Sequence, residues 1–158
     1  MEQLLLHLFG DYILQSHWMA GAKRKYTYAA ALHAGAYTAP FYLLATAAPN
    51  PHLAMAVIFW THFFIDRFGL ARYVIWLKNW SGEFRPWLMV EDFDVWKAKG
   101  GDTDKRFPHF FQPTPPWRFC EETGFPPNDP EPFLAVWLLI IVDNTLHLAI
   151  NYAALRWL

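Results

Sequence analysis

Cysteine is nearly absent from this sequence: of 158 residues, only residue 120 is one. A lone thiol excludes an intramolecular disulfide and any zinc site built on cysteine pairs, and it leaves the redox compartment open. Charge is scarce as well, with 17% Asp, Glu, Lys and Arg and a formal net charge of −1. A chain so close to neutral lacks the basic surface that a nucleic-acid binder needs. The opening Met1-Glu2-Gln3 carries no basic cluster, and His7, Asp11 and Gln15 interrupt the apolar run that follows, so no cleaved signal peptide is expected.

What the sequence has instead is apolar and aromatic surface. Hydrophobic residues make up 54% and aromatics 19%, including nine Trp. These proportions exceed the ordinary soluble range and suit rings placed at membrane interfaces. Crossing a bilayer takes roughly 17 to 25 mostly apolar residues, and four segments qualify, at about 3–20, 27–48, 53–77 and 132–157. The expectation is a single all-α membrane domain over 1–158, a polytopic four-helix bundle. In the first segment the polar His7, Asp11, Gln15 and Trp18 recur at helical spacing and share one face.

Basic residues set the expected orientation. Lys23, Arg24 and Lys25 lie between the first two segments, whereas 48–52 has no Lys or Arg. The first connection is then cytoplasmic, both termini lie outside, and the long connection 79–131, with its several basic residues, returns to the cytoplasm. In a bacterium this places the protein in the inner membrane, with the lipid bilayer as its partner and a homo-oligomer or larger membrane complex as a further one. Eight prolines between residues 79 and 131 forbid a long regular helix there. Trp80, Trp87, Trp96, Phe107, Phe110, Phe111, Trp117, Phe119 and Phe125 offer too much apolar surface to leave in water, so an ordered aromatic loop between the third and fourth helices is expected.

Three of the four segments pair a His with an Asp four residues apart: His7 with Asp11, His62 with Asp66, and Asp143 with His147. Such positions stack on a helix and can aim two ligands at one ion. His33 adds a ligand from the remaining segment. An Asp near the centre of a membrane helix costs roughly 2.5 to 3.5 kcal/mol on insertion scales. Asp11, Asp66 and Asp143 must therefore face inward and be compensated, which a divalent ion does for two carboxylates at once. Nitrogen and oxygen ligands without thiolate suit Zn, Mn, Fe or Mg. Seven ligands exceed what one tetrahedral zinc takes, which makes room for two metals. Gln15, Asn144 and Asn151 read as groups supporting these ligands.

These residues carry a resemblance. The run His7-Leu-Phe-Gly-Asp11-Tyr-Ile-Leu-Gln15, the basic Lys23–Lys25 connection, the lone His33, the run His62-Phe-Phe-Ile-Asp66 and the closing Asp143-Asn-Thr-Leu-His147 resemble the bacterial and phage membrane proteins grouped as domain of unknown function 3307. The proline-rich connection and the Asn at position 144, where the family often has Gln, depart from that pattern. The resemblance implies a membrane-embedded helical architecture and a distant relation to membrane-bound metal-dependent hydrolases.

The expected function is hydrolysis of a phosphoester or similar lipid-borne bond at a metal site. The alternatives are a metal-free polar network that fixes helix register, an ion or proton pathway, and a structural subunit of a larger membrane assembly. His17, His52 and His109 are expected at interfaces or in loops. Glu91-Asp92-Phe93-Asp94 reads as an amphipathic surface piece, Glu121 and Glu122 as solvated, and Cys120 as inert.

Overall fold

The structure is a computed structural model, and it describes residues 1–82, 117–125 and 130–158. All regular elements among them are helical. In chain order they are α1 (Glu2–Leu8), a π-helical turn (Phe9–Ile13), α2 (His17–Ala22), α3 (Thr27–Thr38), a 3₁₀ turn (Ala39–Phe41), α4 (Tyr42–Ala45), α5 (Pro51–Phe68), α6 (Leu70–Gly82), α7 (Trp117–Cys120) and α8 (Pro132–Trp157). The expectations about Trp87, Trp96, Glu91-Asp92-Phe93-Asp94 and His109 lie outside the described residues.

The chain groups into two compact units, one of Met1–Ala71 with Ile140–Leu158 and one of Arg72–Leu139. In the first unit, α3 meets α5 through alanines. Ala30 and Ala34, one turn apart and fully buried, pack with Phe63 and the partly buried Phe59. Small residues at that spacing let two helix backbones approach closely. A second cluster gathers Tyr37, Phe41, Ala48, Ala54, Ile58 and Ala154.

Local chemistry explains where helices start and stop, and it corrects three expected boundaries. The segment 3–20 is not one helix. The N–H of Leu14 bonds back to Phe9 O at 3.0 Å, closing the π turn, and Ser16 then takes an extended conformation and caps α2 by accepting from Met19 N at 3.2 Å. The segment 27–48 tightens into a 3₁₀ turn at Pro40, which has no N–H to continue the α ladder. The segment 53–77 breaks at Gly69, whose φ of 60° ends α5 in the left-handed region that glycine adopts without strain. Asn50 starts α5 by accepting from Leu53 N at 3.1 Å, with Pro51 in the first helical position. The fourth segment forms α8 with the expected bounds.

By length and composition, α8 alone qualifies to cross a membrane among the described residues, while α5 with Leu70–Asn79 qualifies only as a bent pair. Four uninterrupted spans are therefore not what these segments form. Large apolar side chains cover the outside of the first unit, including Leu5, Ile13, Leu43, Trp60, Phe64, Ile141 and Tyr152.

In the second unit, Tyr73 stacks on Trp117 with ring centroids 4.2 Å apart, and Arg72 lies over both rings while its Nη1 donates to Glu121 O at 2.6 Å. Gly124, at φ 84°, sits so near Arg72 O and Ile75 that a side chain there has no room. Glu121 and Glu122 are exposed, as are His17 and His52 in the first unit.

Candidate metal centre

The first unit brings His7, Asp11, His33, His62, Asp66 and His147 together in a buried cluster, with Asp143 at its edge. Helix α5 supplies His62 and Asp66 from one face, a turn apart, because that stretch is regular α-helix. His33 comes from the middle of α3, which the alanine contacts hold against α5. Asp11 comes from the π turn, a feature that recurs at functional sites because the extra residue re-aims a side chain. Gly10 beside it has a purpose of its own: a Cβ there would lie 2.7 Å from Tyr37 Cδ2 and 3.2 Å from the Tyr37 backbone. Only glycine lets the turn come so near α3.

Four atoms converge. Nε2 of His33 lies 3.0 Å from Nε2 of His62, 3.0 Å from Oδ2 of Asp66 and 3.2 Å from Oδ1 of Asp11. Nε2 of His62 lies 3.1 Å from the same Asp66 oxygen and 3.5 Å from the same Asp11 oxygen. A single proton on either ring nitrogen cannot serve all these contacts. Most of the separations fall a few tenths of an ångström inside the edges of a tetrahedron of ligands, about 3.3 to 3.4 Å when ion–ligand bonds are about 2.0 to 2.1 Å, so a small outward shift of the four atoms would admit an ion. Two carboxylates and two neutral imidazoles carry a charge that a divalent cation cancels. This set can hold a metal ion, and so by distance alone can Asp66, Asp143 and His147.

His7 was expected to be a ligand, and the hydrogen bonds place it differently. Its Nε2 lies 3.2 Å from Asn144 Oδ1, an acceptor, so the ring proton sits there. Its Nδ1 is then an acceptor for the Tyr37 hydroxyl at 2.8 Å, and that hydroxyl in turn accepts from Asn151 Nδ2 at 2.6 Å. Both nitrogens of His7 are engaged, and Asp11 Oδ2 is 3.6 Å from Nδ1. Asn144 and Asn151 thus support the cluster through His7 and Tyr37. Tyr37 also stacks on the His62 ring, with centroids 3.6 Å apart and planes 14° from parallel, which fixes the direction of the His62 nitrogens.

Lys23 belongs to this site, although its sequence position marked it only as a basic residue of a connection. Its Nζ lies 3.0 Å from Asp66 Oδ2 and 2.9 Å from Gln15 Oε1, so Gln15 supports the site through the lysine. The chain breaks between Leu14 and Ser16, and short α2 then ends at Lys23, whose ammonium reaches Asp66. No local signal in the sequence distinguishes it from its basic neighbours Arg24 and Lys25. Nδ1 of His33 and Nε2 of His147 have no hydrogen-bond partner among the described residues.

Neither the curated proteins nor the solved structures give a match to this chain. The family described as "Protein of unknown function (DUF3307)" matches residues 1–82, which contain Asp11, Lys23, His33, His62 and Asp66. Asp143 and His147 lie beyond the matched residues. With half of its length matched, the chain belongs to the DUF3307 family.

Proposed function

We propose that the protein is an integral membrane protein of four crossing segments, some of them broken, that holds a divalent metal ion and hydrolyses a phosphoester or similar lipid-borne bond. The observation that carries this reading is the convergence of His33 Nε2, His62 Nε2, Asp11 Oδ1 and Asp66 Oδ2 at separations of 3.0–3.5 Å. The membrane setting is supported by an inverted pattern: ionisable groups are buried, while large apolar side chains face outward from α1, α4, α5 and α8. The basic Lys23–Lys25 connection supports a cytoplasmic position for it, with both termini outside the bacterial inner membrane.

Two imidazoles among the ligands favour zinc, manganese or iron over magnesium, which prefers oxygen and keeps its waters. A bound ion of this kind supplies Lewis acidity and an activated water. The chain's own residues supply access and charge. Asp143 keeps 27% of its side chain exposed beside the buried set, so substrate and water enter on its side. Lys23, 19% exposed at the rim, offers a positive charge to an anionic phosphoester.

The test is elemental analysis of detergent-purified protein beside a His33→Ala, Asp66→Asn variant, followed by assays on phosphoester lipids. Stoichiometric metal in the native protein and none in the folded variant supports the reading. Folded native protein that binds no metal when offered each ion defeats it.

One observation favours a second reading. The Lys23–Asp66 ion pair compensates a buried carboxylate without any ion, as a proton or cation pathway, or a register-fixing network in a larger membrane assembly, would require. The same metal analysis separates the two.

A further inference from the structure

Two histidines of the cluster meet nitrogen to nitrogen. Nδ1 of His62 lies 3.1 Å from Nδ1 of His147, and both rings are 1% exposed. A hydrogen bond between two ring nitrogens needs one N–H and one lone pair, and a neutral imidazole carries a single proton. The ring that donates from Nδ1 therefore has its lone pair on Nε2. The ring that accepts at Nδ1 has its proton on Nε2 and no lone pair there to give an ion.

The surroundings decide which ring is which. Nε2 of His62 faces the ligand atoms of Asp11, His33 and Asp66 at 3.0–3.5 Å. Nε2 of His147 faces two carboxylate oxygens, Asp143 Oδ2 at 3.5 Å and Asp66 Oδ1 at 3.7 Å. A proton on His147 Nε2 is attracted by both, whereas a lone pair there is repelled by both. Nε2 of His62 faces two carboxylate oxygens as well, so the ion tells the rings apart: with one bound at the centre on which the four ligand atoms converge, His62 Nε2 has to give its lone pair. His62 thus donates from Nδ1, His147 accepts, and the lone pair of His62 Nε2 points into the ligand set.

Distance alone allows a second ion between Asp66, Asp143 and His147, and the unpartnered His147 Nε2 suits one. The nitrogen-to-nitrogen contact opposes it. With both rings ligating through Nε2, both protons would sit on the Nδ1 atoms and face each other across 3.1 Å.

We propose that the cluster holds a single ion, bound by Asp11, His33, His62 and Asp66, and that His147, backed by Asp143, is a positioning residue that holds His62 in its ligating tautomer. This rests on the metal reading above. An imidazole ligand whose other nitrogen donates to a fixed acceptor is better oriented and more basic, and loss of such an acceptor typically costs about 10 to 100-fold in metal affinity.

The test loads the detergent-purified full chain with Co(II) and reads stoichiometry, affinity against a chelator and the visible absorption of the bound ion. His147→Asn places a side-chain oxygen where Nδ1 stood, and His147→Phe fills the space without an acceptor. The expected result is a single equivalent in the native protein, the same absorption with affinity within several-fold in His147→Asn, and about 10 to 100-fold weaker binding in His147→Phe. Asp143→Asn keeps the full equivalent. A second equivalent in the native protein that Asp143→Asn removes overturns the proposal, as does an altered absorption or equal damage in His147→Asn. A native chain that takes up no Co(II) or Zn(II) overturns the metal reading itself, and this inference with it.

Discussion

Nζ of Lys23 lies 3.0 Å from Oδ2 of Asp66, the oxygen that also faces Nε2 of His33 and of His62. An ammonium and a bound cation therefore share one counter-charge. Replacing Lys23 by Met removes the only competitor for it that the described contacts show. Without added ion, the variant loses about 2 to 3 kcal/mol, less than a fully buried pair because Lys23 keeps some exposure. Saturating divalent metal restores it, and metal affinity rises several-fold. Unfolding in detergent with and without metal measures both. A loss that no ion restores would favour the pathway or network reading.

Tyr37 links the metal cluster to its support. Tyr37→Phe keeps the stack on His62 but deprives buried His7 and Asn151 of a hydroxyl partner. The expected cost is about 2 to 4 kcal/mol of stability, from two groups left unsatisfied. Metal stoichiometry stays as in the native protein, and chemical unfolding followed beside elemental analysis separates the two effects.

Gly10→Ala drives a methyl into the Tyr37 ring and backbone. The ring can turn away, but the backbone contacts at 3.2 Å cannot relax without moving the π turn or α3. We expect a loss of about 1 to 3 kcal/mol, together with weakened metal binding, because Asp11 moves with the turn. Gly21→Ala, inside α2 with open space around it, is the control and weakens neither.

Part of this site was legible in the sequence because the helix that carries it is regular. His62 and Asp66 share a face of α5, as their spacing requires, and α8 has the expected bounds. The first segment read less well. Its polar residues were counted on one unbroken helix, but the π turn and the stop before Ser16 change the count, and Gln15, expected to support the ligands, meets Lys23. Gly69 and Pro40 were visible as breakers, and hydrophobicity alone carried the expected helices through them. The tautomer relation of His62 and His147 depends on which nitrogens meet across two helices, and no spacing encodes that.

Burial raises the Cys120 thiol to about 11, and the side chain is 1% exposed. Iodoacetamide should leave it unmodified at pH 7 in the folded protein and label it after unfolding. Rapid labelling of folded protein at neutral pH would contradict this placement.

That silent thiol allows a topology test on an otherwise native background. Lys25→Cys and Ala47→Cys both fall at exposed positions. With the basic connection cytoplasmic, a membrane-impermeant maleimide added to intact inner-membrane spheroplasts labels Ala47→Cys, and labels Lys25→Cys only after permeabilisation. The reverse pattern would invert the proposed orientation.

The π turn at Phe9–Ile13 holds one residue more than the α turn it replaces. Deleting one of the five would let ordinary i→i+4 bonding resume with α1 left nearly in phase, and would re-aim Asp11, the side chain that the extra residue places. His33 and His62 would lose the Asp11 carboxylate even if every other side chain of the cluster were kept. This stretch is thus constrained in its length more than in its letters: it should accept many point substitutions on its outward face and almost no insertion or deletion.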